Sequence, residues 1–248
     1  MNEQDIANWT SFFLLITIQA FVLALVEYEE RFLNSGDRHQ HTLLEALIAG
    51  LLGGLALGLI FDEIVGRQFN FFHYYIGSIY FQILNGGLSY GLAIATALQF
   101  SPKPRRAIDG LLAPNTAILF AITAGVFVFS LREPTDLTTA IAVGWIIVLA
   151  GELFELLIFR TNGPVLEALS GHVRRPIRNW TITVFVGCAY ETANRFEPVW
   201  QWWFAKGSTA IWYELAVVTF GYVVLLHACR IIGFTALAAF KSVRATRP

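Results

Sequence analysis

Seven stretches of the chain are mostly apolar over about 20 residues or more, the length that an α-helix needs to cross a bilayer. They cover residues 10–30, 43–63, 71–100, 111–131, 137–159, 179–196 and 209–240. Because 56% of the residues are hydrophobic and only 14% are charged, a soluble domain of this size could not cover its surface with polar groups. The sequence therefore predicts an all-α integral membrane protein, with residues 1–248 forming a single transmembrane domain of seven helices.

Lys and Arg are distributed unevenly between the two sides of this predicted bundle. One side holds Arg31, Arg38, Lys103, Arg105, Arg106, Arg160, Arg174, Arg175, Arg178, Lys241, Arg244 and Arg247. The other side holds only Arg67, Arg132, Arg195 and Lys206. Since positive loops stay in the cytoplasm, the N-terminus is predicted outside and the C-terminus inside, in a bacterial-type cytoplasmic (inner) membrane.

Several classes of protein do not fit the sequence. The net charge is -1 and no basic stripe is present, so nucleic acid is not an expected partner. Neither a Walker A nor a Gly-x-Gly-x-x-Gly motif occurs, and the last predicted span contains no Lys that could bind retinal. The sequence indicates no particular cofactor or metal. Its expected partners are the lipid bilayer and, beyond it, other membrane proteins or further copies of the chain.

The second span carries small residues at every fourth position, namely Ala46, Gly50, Gly54 and Gly58. This spacing places them on one helix face, where small side chains let another helix approach closely. We therefore expect a packing seam along span 2. At the outer surface, Trp200, Trp202 and Trp203 are typical of an aromatic belt at the membrane interface.

A motif in the first half of the chain recurs in the second half. FDEIVGRQFNFFHYY (61–75) and YETANRFEPVWQWWF (190–204) each show an acid at the outer end of a span, Arg four residues later, and then aromatic residues. In this register Glu63 aligns with Glu191, and Arg67 aligns with Arg195. The pattern predicts a loose internal repeat.

The helices that precede the two motifs also correspond. Glu27 and Glu30 near the end of span 1 match Glu152 and Glu155 near the end of span 5, in a shared Glu-x-x-Glu pattern. The predicted repeat units are therefore 10–100 and 137–240, joined by a linker helix at 111–131. Because the offset is four helices, the two units point the same way, a 3+1+3 arrangement of parallel repeats that some transporters use.

The outer acids have two interpretations. Glu63 with Arg67, and Glu191 with Arg195, are spaced so that each pair shares a helix face and can form a structural ion pair. Such pairs would end the helices at the headgroups. Alternatively, Glu63 and Glu191 face inward and line an ion or substrate path, the usual role of intramembrane acids that avoid lipid.

Polar residues deeper in the spans complete the predicted site. Glu152 and Glu155 share one helix face, and closely paired carboxylates suit proton exchange or the binding of a hard cation. His227 and Arg230 lie on one face of span 7, where they could pair with these acids. Asn85, like Gln19, needs a hydrogen-bond partner inside the membrane.

These features favour a small-solute or cation transporter or channel whose path is lined by Glu63, Glu191, Glu152, Glu155, Asn85 and His227. No catalytic residues are predicted. Two alternatives remain open at this stage. The chain could be an accessory subunit of a larger membrane complex that binds pigment or lipid, or a membrane enzyme that uses a carboxylate pair on a lipid or isoprenoid.

Overall fold

A computed structural model of the chain is built mainly from helices. It describes residues 3–29, 32, 41–60, 62, 72–74, 79–100, 113–132, 136–196, 200–202 and 217–245. The α-helices of these residues are α1 (Glu3–Tyr28), α2 (Leu43–Gly58), α3 (Ile79–Leu84), α4 (Gly91–Gln99), α5 (Pro114–Arg132), α6 (Asp136–Phe154), α7 (Pro164–Leu169), α8 (Arg174–Phe196) and α9 (Tyr222–Ala245).

Three segments of π-helix lie wholly within the described residues and extend these α-helices, with hydrogen bonds that run from residue i to i+5. Asn85–Tyr90 joins α3 to α4, Glu155–Phe159 continues α6, and Val217–Gly221 leads into α9. Such segments are uncommon, and they often occur at functional sites. Two of the three contain residues that the sequence predicts to be functional, Asn85 and Glu155.

Within the part of the chain that the structure describes, four helical stretches are long and apolar enough to cross a membrane, namely Trp9–Tyr28, Pro114–Arg132, Ile141–Phe159 and Thr219–Val243. Leu43–Gly58 is also apolar but shorter. Many large apolar side chains of these helices are exposed, including Phe21, Phe129 and Leu131. An apolar outer surface suits contact with lipid, so the chain is a helical protein with the properties of a membrane protein.

A helix was predicted to start at residue 71, but the first described residues of this stretch are not helical, and its described helix is α3 from Ile79. Residues Phe72–Tyr74 form a strand that pairs antiparallel with Trp200–Trp202. Phe72 lies opposite Trp202, His73 opposite Gln201, and Tyr74 opposite Trp200. The prediction was wrong because an aromatic-rich apolar run is compatible with either a helix or a strand when no periodicity distinguishes them.

The predicted packing seam on α2 is present. It packs against the continuous helical rod that is formed by α3, the π-helical segment Asn85–Tyr90 and α4. A Cβ atom on Gly50 would overlap the carbonyl of Gly91, and one on Gly54 would overlap the carbonyl of Gly86. Gly58 lies against the Cα atom of Gly86. The backbones therefore touch directly, and α2 is fixed against the segment that carries Asn85.

The main core lies where α1, α2, α4 and α9 meet. It includes Val26, Ala49, Ile94, Leu98 and Leu226, all buried. A polar contact crosses the same region, because the Gln19 side-chain amide donates to Thr96 Oγ1 at 3.2 Å. This is the kind of helix-to-helix bond that was expected for Gln19.

Local signals explain where the helices near the site begin and end. Thr42 and Glu45 form a reciprocal capping box at the start of α2. After the π-helical end of α6, Arg160 takes a left-handed conformation with φ of 55°, which stops the helix. Pro164 then occupies the first turn of α7, where its missing N–H costs nothing. The chain thus folds back so that α7 returns to α6.

Candidate functional site

Glu152 is a fully buried carboxylate in α6, with 0% of its surface exposed. The N–H of Val165 donates to Oε1 at 2.8 Å, and the N–H of Leu166 donates to Oε2 at 2.9 Å. Both donors belong to the first turn of α7, where backbone N–H groups have no partner within the helix. The carboxylate of one helix therefore caps the start of another.

Gly163 allows this approach. A Cβ atom on Gly163 would lie 2.6 Å from each carboxylate oxygen of Glu152, well inside van der Waals contact. Any other residue at this position would push the carboxylate away from α7. Gly163 is therefore a positioning residue for Glu152, and the sequence analysis did not identify it.

His227 of α9 lies beside Glu152 and is 1% exposed. Its Nδ1 atom is 3.5 Å from Glu152 Oε1. Neither ring nitrogen has a hydrogen-bond partner among the residues that the structure describes. A buried imidazole without partners is unusual, because buried polar groups are nearly always hydrogen-bonded. This arrangement places the His227 imidazole next to the Glu152 carboxyl group. Each of these two groups can take up and release a proton.

Glu155 and Arg230 form a second buried pair one helical turn further along. The Arg230 guanidinium donates from Nε to Oε1 and from Nη2 to Oε2, both at 2.7 Å. Arg230 also lies over the ring of Phe234, 5.5 Å from its centre. Two short charge-assisted bonds in this fork geometry fix both side chains, so the pair suits a structural role.

At the opposite end of the bundle, Asp62 forms a polar cluster with residues of the π-helical segment. Tyr90 donates from its hydroxyl to Oδ1 at 2.9 Å, and Asn85 donates from its side-chain amide to Oδ2 at 3.2 Å. Asp62 and Asn85 are 7% and 6% exposed, respectively. We call this end of the bundle the Asp62 end and the other the Glu152 end.

A corresponding contact forms between α8 and α9 at the Asp62 end. The hydroxyl of Tyr222 donates to Glu191 Oε1 at 3.2 Å, and Glu191 is 5% exposed. Tyr190 packs edge-on against Tyr222 with ring centres 6.4 Å apart, and its hydroxyl donates to the carbonyl of Leu15 of α1 at 3.4 Å. Aromatic packing thus adds to the contact between Glu191 and Tyr222.

The structure places the predicted residues in two groups. Glu152, Glu155 and His227 come together at the Glu152 end, where Arg230 joins them as expected from its spacing. Glu191 and Asn85 lie at the Asp62 end. Glu63 and Arg67 fall outside the described residues, as does the side chain of Arg195, so neither predicted ion pair is described.

Sequence reasoning missed Asp62, Tyr90 and Tyr222 as members of the site. For Asp62 a signal was present, because it continues the four-residue spacing of Ala46, Gly50, Gly54 and Gly58 and so lies on the same helix face. The tyrosines carried no comparable signal, since aromatic residues occur throughout the chain.

The described part of the chain contains no group of three or more His, Cys, Asp and Glu side chains arranged to hold a metal ion. The class of protein that the fold and site define is a helical protein suited to a membrane, with acidic residues buried at both ends of the bundle. The chain matches no protein-family model, no curated protein and no solved structure.

Proposed function

We propose that the protein is a cation transporter that exchanges one proton for one monovalent cation at the Glu152–His227 pair. The observation that carries this proposal is the buried contact of 3.5 Å between Glu152 Oε1 and an imidazole that has no hydrogen-bond partner in the described structure. Ionisable residues inside a membrane are costly and usually mark ion or substrate paths.

The charges of the cluster explain why a proton and a cation would compete there. Glu152 and Glu155 can contribute two negative charges, and Arg230 contributes one positive charge. One further proton, on Glu152 or on His227, makes the cluster neutral. When this proton leaves, one negative charge remains in a region of low dielectric, where an unbalanced charge is expensive. A monovalent cation can restore neutrality.

The polar groups at the Asp62 end supply a continuation of this path. Tyr222, which bonds with Glu191, lies five residues before His227 on α9, about 7.5 Å along the helix axis. Asp62 and Asn85 lie at the same end of the bundle as Tyr222. An ion leaving the Glu152 end therefore has carboxylate and hydroxyl oxygens within a short distance.

The topology that we propose has seven membrane spans, with the N-terminus outside and the C-terminus in the cytoplasm of an inner membrane. The spans are α1, α2, the rod from α3 to α4, α5, α6, α8 and α9. The Asp62 end would then face outward and the Glu152 end inward. The distribution of Lys and Arg supports this orientation.

We further propose that the first and last three spans are parallel repeats related by an axis along the membrane normal. The strand pairing supports this symmetry. The register that aligns Glu63 with Glu191 also aligns Phe72 with Trp200, and Tyr74 with Trp202. A two-fold axis converts the Phe72–Trp202 pair into the Trp200–Tyr74 pair, which is the other outer pair of the ladder. The central pair of the ladder maps onto itself.

Two other pairs of features support the repeat. The Asp62–Tyr90 bond joins the second and third helices of one unit, and the Glu191–Tyr222 bond joins the second and third helices of the other. A π-helical segment lies near the start of the third helix in both units, at Asn85–Tyr90 and Val217–Gly221. A path between the two units would lie near the symmetry axis.

The test uses the purified chain in liposomes that carry a dye sensitive to internal pH. An imposed gradient of K⁺ or Na⁺ is expected to drive proton movement in the parent protein and not in empty liposomes. Glu152→Gln and Glu191→Gln are expected to reduce it strongly. The matched control is Glu29→Gln, because Glu29 is a half-buried acid that pairs with Arg178 away from the cluster. Unchanged proton movement in both site variants would exclude the assigned path. Movement by the purified chain also separates a transporter from an accessory subunit.

A further inference from the structure

The short helix α7 is held at the Glu152 end by three polar contacts. Glu152 accepts the N–H groups of Val165 and Leu166 at its start. Within it, Glu167 lies 3.8 Å from Arg175 of α8, and just after its end Ser170 accepts a bond of 3.2 Å from Asn115 of α5. The contact with Glu152 is the most deeply buried of the three.

The start of α7 also closes the bundle over the site. Leu166 is 2% exposed and packs with Leu119 of α5 and Leu156 of the π-helical end of α6. Gly163 lies directly on the Glu152 carboxylate. The segment from Gly163 to Leu166 therefore separates Glu152 from the exposed residues that follow α7, such as His172.

We propose that α7 is a gate at the Glu152 end, held closed by the Glu152 carboxylate and released when a proton passes from His227 to Glu152. This inference rests on the proposed function, since it assigns a role to the proton that the pair carries. In the transfer, the Nδ1–H bond of the imidazolium breaks and an O–H bond forms on Oε1. His227 becomes neutral, Glu152 becomes a carboxylic acid, and the charge of the cluster does not change.

The hydrogen-bond capacity of the carboxyl group gives the physical reason. An ionised carboxylate only accepts, so both of its oxygens can bind the N–H groups of α7. A protonated carboxyl keeps some acceptor capacity, but its hydroxyl oxygen is a weaker acceptor than a carboxylate oxygen. After the transfer the new O–H on Oε1 points to Nδ1 of the neutral imidazole, so the bond from the Val165 N–H to Oε1 is weakened, and the bond from the Leu166 N–H to Oε2 is no longer assisted by charge.

Among the described residues, the other charged groups around the carboxylate do not take over this role. Glu155 is occupied by Arg230, both of its oxygens accepting from the guanidinium. Glu167 of α7 is close enough to Arg230 to interact electrostatically, and it pairs with Arg175 of α8. Asn115 of α5 is neutral. The proton on the Glu152–His227 pair is therefore the charge whose position changes the contact with α7.

The test measures access to the inner face of α7 and does not depend on transport. Cys188 and Cys229 are first replaced by Ala, and Leu166→Cys is then introduced as the one reactive thiol. The rate at which this thiol reacts with a maleimide is measured at a single pH in two proteins, one with Glu152 and one with Glu152→Gln. Gln is neutral like the protonated carboxyl, and its amide oxygen can accept from only one of the two N–H groups of α7. The expected result is reaction about tenfold faster or more with Glu152→Gln. His172→Cys, at an exposed position, is expected to react equally in both backgrounds.

A second measurement covers the case in which Leu166→Cys does not fold. Backbone hydrogen exchange of residues 163–169 is compared among the parent, Glu152→Gln and Gly163→Ala, the last of which displaces the carboxylate without changing any charge. Faster exchange in both variants supports the gate. Equal labelling and equal exchange in parent and variants would overturn it. If α7 opens in the variants but the parent moves no protons in liposomes, the gate stands and the transport proposal fails. If Glu152→Gln stops proton movement and α7 stays closed, only the gate is wrong.

Discussion

The buried pair of Glu155 and Arg230 gives the sharpest test of the energetics at the Glu152 end. The two bonds of 2.7 Å connect a π-helical turn of the α6 rod to α9, and both residues are almost fully buried. Arg230→Met leaves a buried carboxylate without its partner, and Glu155→Leu leaves a buried guanidinium. Each change is expected to lower the free energy of unfolding by about 3–5 kcal/mol.

The double variant is expected to be less destabilised than either single variant, because two apolar side chains of similar size leave no unpaired charge. The contact of Arg230 with the ring of Phe234, worth about 0.5–1 kcal/mol, is lost whenever Arg230 is replaced, so it cancels in the double-mutant cycle.

The assay is reversible unfolding in mixed micelles with an increasing fraction of denaturing detergent. The matched control is Glu29 with Arg178, a partly exposed pair whose coupling is expected to stay below about 1 kcal/mol. A coupling energy for Glu155 with Arg230 within about 0.5 kcal/mol of zero would refute the reasoning.

The remaining predictions concern packing and the Asp62 end. Gly54→Ala forces a methyl group into the backbone of the neighbouring helix and is expected to lower the free energy of unfolding in the same micelle assay by about 1–3 kcal/mol or more. Gly125→Ala, where a Cβ atom would meet nothing within 4 Å, should be neutral or stabilising, and equal losses at both sites would contradict the seam. His73→Cys with Gln201→Cys is expected to form a disulfide on oxidation, seen as a mobility shift under non-reducing conditions that reductant reverses. Failure to cross-link would contradict the strand register. Asp62→Asn replaces one acceptor with a donor and is expected to lower the free energy of unfolding by about 1–3 kcal/mol. An unchanged free energy of unfolding would show that the hydrogen bonds from Asn85 and Tyr90 contribute nothing net.

Much of the helical layout could be predicted from the sequence, because long apolar runs and small-residue spacing report on helices directly. The seam from Ala46 to Gly58 is an example, since a four-residue period of small side chains leaves only one helix face on which backbones can meet. The meeting of Glu155 with Arg230 was also expected. Each residue shares a helix face with a second ionisable group, and groups of opposite charge inside an apolar bundle have few other partners.

The contact that defines the site could not be predicted in the same way. Glu152 bonds with backbone N–H groups of α7, and backbone groups leave no mark on the sequence. The approach also depends on the left-handed conformation of Arg160, a residue that rarely adopts it, and on the missing side chain of Gly163. The strand at Phe72–Tyr74 was missed for a related reason, since its partner lies far away in the sequence and only the tertiary fold brings the two together.

The most direct test of the central claim is how cation-driven proton movement depends on membrane potential. If one proton at the Glu152–His227 pair exchanges for one monovalent cation, no net charge crosses the membrane. The initial rate of proton movement in liposomes, driven by a fixed Na⁺ gradient, should then be the same when the potential is clamped at zero or at either sign with K⁺ and valinomycin. A rate that rises or falls with the clamped potential, or proton movement that persists after Glu152→Gln, would contradict the account.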